Sequence, residues 1–193
     1  MYKRQHVNPF THIPESLDEY SCDYRGIADL VVRYRDLTGH LPYHTWLEYP
    51  FTALLTYKGC RFNCVTCGGS SYAYNHICRR KGLALKSPSK LVEEMKIIDE
   101  YIKGPIFLLG DIRQGGRSYA EEILKRVREE GIDNPITFEF FSDVPRDFLE
   151  RIASSCQEFN IEVSPETHDE GVRRLQGREI TNKGLERLVE ESL

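Results

Sequence analysis

The hydrophobic pattern of this 193-residue chain changes character at Phe51. Before it, residues 1–50 are irregular and rich in His, Pro and Tyr. One helical stretch over residues 27–37 sets Leu30, Val31 and Tyr34 on one side. We read these fifty residues as a lead-in or connector segment. After Phe51, short apolar runs of strand length alternate with segments of helical period, the mark of an α/β fold with a parallel sheet. FTALLTY, residues 51–57, is the first expected strand. Its helix starts at Ser87 as N-cap with Pro88 at the first helical position, and carries Leu91, Met95, Ile98 and Ile102 on one face. PIFLLG is the second strand, ending at Asp111, and the helix after it bears Ile123, Leu124 and Val127 up to a stop at Gly131. ITFEFF is the third, ending at Ser142 and Asp143, with a helix from Pro145 that bears Phe148, Leu149, Ile152 and Cys156. NIEVS is the fourth, ending at Pro165 and Glu166. A short helix over Glu170–Leu175 follows, and a last one is capped by Thr181 or Asn182 and carries Leu185, Leu188 and Val189.

Four strand-helix units therefore predict residues 51–193 to be a partial (β/α) barrel of the TIM type. Cys60, Asp111, Ser142 and Glu166 each follow the carboxyl end of a strand, the end at which such barrels build their active sites. The helical pattern runs to Leu193 without a cap, and a closed barrel needs more than four strands. The chain thus reads as a barrel truncated after its fourth unit, with that strand as an open edge. No repeat, low-complexity tract or interdomain linker interrupts it.

Composition narrows the setting. The hydrophobic fraction of 40% and charged fraction of 29% are those of a soluble globular protein. The longest apolar runs fall far short of a membrane span, and Met1–His6 lead into Asn8 and Pro9 rather than an apolar signal, so a cytoplasmic location is expected. The net charge is -4, with Lys and Arg interleaved with Glu along the expected helix faces, which argues against nucleic acid as a partner. Six cysteines without an export signal point to metal ligation or catalysis rather than disulfides.

Three of them form the loop Gly59-Cys60-Arg61-Phe62-Asn63-Cys64-Val65-Thr66-Cys67-Gly68-Gly69. A C-x3-C-x2-C match is expected by chance only about 0.005 times in such a composition. Three thiolates on a short loop can hold three irons of a cubane and leave the fourth iron without a protein ligand. Gly59, Gly68 and Gly69 let the backbone fold closely around it. Zinc is the rival ligand, with Cys78 or His76 as the fourth donor, but zinc sites prefer paired C-x2-C units and four protein ligands. An iron-sulfur electron carrier is a third reading, although carriers supply four cysteines. Cys22, Cys78 and Cys156 read as ordinary thiols. His12, His40, His44 and His168 show no ligand spacing, and Gly115-Gly116 reads as a turn.

At the end of the first strand of a partial barrel, this spacing resembles the radical S-adenosylmethionine superfamily from Phe51 onward. The resemblance implies that Cys60, Cys64 and Cys67 bind a [4Fe-4S] cluster and that S-adenosylmethionine is cleaved reductively to a 5'-deoxyadenosyl radical, which acts on a substrate the sequence does not name. It also implies an electron donor such as a flavodoxin or ferredoxin. Asp111 stands where the family carries Gly-Gly-Glu, and so would face the methionine amino group; it also reads as a turn or helix-start residue. Ser164 and Glu166, in Val163-Ser164-Pro165-Glu166-Thr167, match the polar position that contacts the ribose or amino group, and Glu166 also reads as a cap of the following helix. Arg178 and Arg173 are candidates for the methionine carboxylate, with plain surface positions as the alternative. Thr66 stands where the family has an aromatic residue near the adenine. The run from Gly59 to Ser70, with GREIT at 177–181, looks most like members that carry a cobalamin-binding domain before the barrel. No such domain fits in residues 1–50, so cobalamin would bind only through a domain absent from this chain.

Overall fold

The computed structural model describes residues 12–21, 23–35, 45–46 and 48–192; the expectations at Cys22, Leu37, His40, His44 and Leu193 lie outside them. In chain order, helix α1 (Tyr24–Tyr34) precedes strand β1 (Thr52–Leu55), and strands β2 (Tyr57–Lys58) and β3 (Ala84–Leu85) flank helix α2 (Ser71–Cys78). Then come α3 (Pro88–Tyr101), β4 (Ile106–Leu109), α4 (Arg117–Glu130), β5 (Ile136–Phe140), α5 (Arg146–Ser155), β6 (Phe159–Val163), α6 (Glu170–Leu175) and α7 (Asn182–Ser192).

Alternation along the strands decides which side of the sheet is covered. Thr52 and Leu54, Ile106 and Leu108, and Ile136, Phe138 and Phe140 are buried, and Phe159, Ile161 and Val163 pack against the same core. That face receives Leu91, Met95 and Ile98 of α3, Ile123 and Val127 of α4, and Phe148 and Ile152 of α5. Each such side chain contributes about 1.5–3 kcal/mol on burial. The strands pair in parallel in the order β1-β4-β5-β6, as consecutive strand-helix units dictate. Among the described residues the sheet has two edges, at β1 and β6, and does not close. The observed architecture is an α/β layer with an open parallel sheet. No described helix is long and apolar enough to cross a membrane.

Two departures from the sequence pattern lie beside the cysteine loop. The expected first strand divides: β1 stops at Leu55, and Tyr57–Lys58 turns away to pair antiparallel with Ala84–Leu85. Helix α2 has no apolar stripe and buries none of its own side chains, so hydrophobic period could not reveal it. Its start is fixed by Ser70, whose hydroxyl accepts from the Ala73 amide at 3.2 Å. The lead-in segment is tied to this unit: the Leu17 amide donates to the Leu85 carbonyl at 2.9 Å, and the Tyr24 hydroxyl bonds the Ala53 carbonyl at 2.9 Å. Helix α1 runs three residues ahead of the expected span, because Asp23 accepts from the Arg25 amide at 3.0 Å and Arg35 turns into the left-handed region, φ 52°.

Candidate functional site

The chain leaves β2 through Gly59, φ +111°, where an added Cβ would lie 2.4 Å from the Gly82 carbonyl oxygen, so that only glycine fits. The cysteine loop then folds against the far end of the chain. The Val65 amide donates to the Gln176 carbonyl at 3.0 Å, and the Cys64 thiol lies 3.7 Å from the Gly177 carbonyl. Two sulfurs already receive N–H donors: Gly69 donates to Cys67 at 3.3 Å, and the Gln114 side-chain amide to Cys60 at 3.6 Å. Gln114 also accepts from the Arg61 amide at 2.8 Å, fixing the loop to the turn after β4. Such donors offset negative charge on sulfur.

Cys60, Cys64 and Cys67 line one cavity of about 380 Å³. Burial raises the Cys64 thiol above the usual range, opposed by Arg178 and reinforced by Cys60 and Cys67, which places all four groups within electrostatic reach. Among the described residues no three Cys, His, Asp or Glu side chains converge on one metal ion. A cubane does not require that, since each thiolate binds a different iron. The donor set of three thiols on one loop facing one cavity fits a cluster with one iron left open. His76 is stacked on Tyr72 with ring centroids 3.8 Å apart, and neither His76 nor Cys78 lines the cavity.

Ser164, Glu166 and Arg178 line the same cavity, brought there by the ends of β6 and α6. Arg178 donates to the Ser164 carbonyl at 3.0 Å and to the Glu166 carboxylate at 2.6 Å, while its Nε is buried without a partner. Glu166 holds φ +67°, a strained conformation for a residue with a side chain, and it sits at the rim where such strain is often functional.

Asp111 is placed differently. It is 2% exposed and absent from the cavity lining. Its carboxylate accepts from Arg113 Nε at 2.9 Å and Nη2 at 2.7 Å and from the Phe141 amide at 3.2 Å. Arg113 in turn donates to the Asp143 and Ser142 carbonyls and lies 4.6 Å from the Phe140 ring centroid. Arg173, the other arginine considered for a carboxylate, is 1% exposed and donates to the Thr167 carbonyl at 3.0 Å and to Asn182.

Glu139 was not singled out from the sequence, yet it lines the cavity. Its Oε2 accepts from the Gly110 amide at 2.8 Å, and burial raises its carboxyl above the usual range, with the Gly110 amide pulling the other way. The signal was there: an acid between Phe138 and Phe140 must point to the opposite face of the sheet from both. Tyr57, 6% exposed, also borders the cavity, and its ring leaves no room for a Cβ at Gly110, which would fall 2.6 Å away. Phe62 and Phe141 add an edge-to-face aromatic pair with centroids 6.3 Å apart.

The cavity thus lies at the carboxyl ends of the parallel strands and is walled on one side by three thiols. This α/β unit shares its fold with a radical S-adenosylmethionine methyltransferase. TsrM from Kitasatospora setae, with cobalamin and a [4Fe-4S] cluster bound, superposes with a TM-score of 0.51 at 19% identity. The aligned part covers 73% of this chain and 28% of that one. TsrM with its tryptophan substrate and the analogue aza-SAM gives 0.51 at 18% identity, covering 76% of this chain and 29% of TsrM. The chain thus spans under a third of the TsrM length, and the likeness is one of fold. It agrees with the resemblance carried by the cysteine loop and by residues 177–181. No protein-family model and no curated protein matches the sequence.

Proposed function

We propose that this chain carries the cluster- and cofactor-binding core of a radical S-adenosylmethionine enzyme, with residues 51–193 as a partial (β/α) barrel and residues 1–50 as its connector. One observation carries the reading: the three cysteines of C-x3-C-x2-C and the polar groups Ser164, Glu166 and Arg178, 97 or more positions apart in sequence, line one cavity. When bound, a [4Fe-4S] cluster supplies an open iron and an electron for reductive cleavage of S-adenosylmethionine to a 5'-deoxyadenosyl radical.

The chain's own residues then have separate tasks. Cys60, Cys64 and Cys67 hold the cluster, while the Gly69 amide and Gln114 stabilise charge on two of the sulfurs. Arg178, with its unpartnered Nε, suits the carboxylate of the amino-acid moiety. Glu139 suits the ammonium group: it faces the cavity and makes one hydrogen bond, whereas Asp111 is already occupied by Arg113. Asp111 then acts by holding the turn after β4 that carries Gln114. Glu166 at the rim faces the ribose or amino group and orients Arg178. Phe62 and Phe141 offer the aromatic surface that Thr66 lacks. An electron donor and a substrate complete the system, cobalamin would require another domain, and the setting is the cytoplasm.

Anaerobic reconstitution tests this. The protein should take up about four irons and four sulfides, and Cys60→Ala, Cys64→Ala and Cys67→Ala should each abolish uptake, while Cys78→Ala keeps it. Stoichiometric zinc with no iron would contradict the assignment.

A further inference from the structure

Charge is not interleaved everywhere along this acidic chain. Residues 49–92 contain seven Lys and Arg and no Asp or Glu. Two of the seven, Arg80 and Lys81, line a hollow of about 390 Å³ separate from the candidate cofactor cavity, and no acidic side chain lines it. On α3 to α5 the opposite holds: Lys96, Lys103, Arg117, Arg126 and Arg146 each pair with a Glu or Asp.

Arg80 is the residue that points to a ligand. Three cationic side chains are buried, and two of them have a carboxylate: Lys86 meets Glu94 at 2.6 Å and Arg173 meets Glu170 at 3.8 Å. Arg80, 6% exposed, has none among the described residues; its Nη2 donates to the Pro14 carbonyl, which bears no charge. A guanidinium taken out of water without a counter-charge is costly, and an anion in the hollow would supply that charge. Lys81 is exposed and also lacks a carboxylate partner among the described residues. Neutral donors stand beside the two cations. Asn63 Oδ1 already accepts from the Tyr72 amide at 3.1 Å, which leaves its NH2 to donate into the hollow that it lines. Gly82 has φ +74° and nothing within 4 Å of where a Cβ would stand, so the hollow is open there and a ligand can approach the backbone. Tyr72, stacked on His76 and still 62% exposed, supplies an aromatic wall.

We propose that this hollow binds a phosphate monoester carrying a flat apolar group, with the phosphate on Arg80 and Lys81 and the organic part against Tyr72. Two cations without an acid match a phosphate dianion better than a carboxylate. A tetrahedral phosphate also accepts from donors that converge from several directions, as the side chains of Arg80, Lys81 and Asn63 and the backbone at Gly82 do. Cys60 and Tyr74 line both this hollow and the candidate cofactor cavity, so the two sites share a wall. Binding uses no thiol, and the proposal stands independently of the cluster reading.

The test uses the full chain with phenyl phosphate as the probe. Calorimetry reads affinity, and amide chemical shifts locate the site; the shifts should centre on Asn63, Asn75 and Gly82. Lys81→Glu should weaken binding by about tenfold or more, and Arg80→Lys, which keeps the charge but loses the planar fork, by about threefold or more. Lys81 is exposed, so its variant reads binding even where Arg80→Lys unfolds the chain. Lys125→Glu, on α4, should change the affinity less than about twofold. Benzoate, similar in shape with one charge, should bind at least about tenfold more weakly. Inorganic phosphate should also bind more weakly, having no ring to set against Tyr72. Equal losses in Lys81→Glu and Lys125→Glu would reduce the effect to net charge and overturn the site. A loss in Arg178→Ala instead of Lys81→Glu would put the phosphate in the first cavity and overturn it as well. Benzoate binding as tightly as phenyl phosphate would reject the phosphate, and inorganic phosphate binding as tightly would reject the ester. A folded protein whose amide shifts ignore millimolar phenyl phosphate would refute the proposal outright.

Discussion

Single residues at the site are held by geometry that leaves little room for change. Gly177 has φ +82°, and an added Cβ would lie 3.3 Å from the Asn63 carbonyl and 3.4 Å from the Cys64 Cα. Gly177→Ala should therefore push the cysteine loop outward and lower iron uptake without unfolding the protein, as iron analysis alongside circular dichroism would show. Glu139 gives a pH test. Its carboxyl is raised by burial, so the folded protein favours the protonated form; that contribution is complete below the ordinary carboxyl pKa, about 4.3, and is lost as pH rises above it. Glu139→Gln should thus raise the melting temperature of the metal-free protein at neutral pH, with the gain vanishing near pH 4. A constant difference across that range would show that Glu139 does not titrate differently on folding. Residue-level legibility followed local signal. The three cysteines announce themselves by spacing alone, whereas Asp111 matched a strand-end position and is nevertheless consumed by Arg113, a pairing that depends on backbone geometry no spacing rule encodes.

Elements with an apolar stripe were legible, and elements held by polar bonds were not. Helix α3 starts at the expected Ser87 cap, α4 stops at the expected Gly131 and α5 starts directly after Pro145, and Leu91, Met95 and Ile98, or Phe148 and Ile152, fix their buried faces. Helix α2 and strand β3 went unread because a cap, two strand pairs and contacts to the lead-in position them. Asp143 shows the same limit. It reads as the start of the third helix, yet its carboxylate reaches α7, accepting from the Thr181 amide and hydroxyl at 3.3 Å each. Thr181 in turn accepts from the Gly184 amide at 2.9 Å, which makes the pair a shared cap. Asp143→Ala should cost about 0.5–2 kcal/mol and release residues 182–192 to faster amide exchange, with β4 and β5 protected as before. Uniform loss of protection would mean that Asp143 supports the whole fold instead.

At the scale of the molecule, the α/β layer covers one face of its sheet with helices and opens a cavity at the carboxyl ends of the strands. The cysteine loop from β2 and the turns after β4 and β6 meet there, and the cavity between them gathers groups from residue 55 to residue 178. The sequence pattern predicted polar groups at the strand ends, of which Cys60 and Glu166 line the cavity and Asp111 and Ser142 do not; the open edges at β1 and β6 and the added β2-β3 pair required the structure. The central claim is that Cys60, Cys64 and Cys67 leave one iron open to S-adenosylmethionine. The direct measurement is the electron paramagnetic resonance spectrum of the reduced, reconstituted protein with and without that cofactor. The account predicts a changed spectrum on addition, with the change weakened by Arg178→Ala and by Glu166→Gln more than by Asp143→Asn. An intact cluster whose spectrum ignores saturating S-adenosylmethionine would contradict it and leave an electron carrier as the better description.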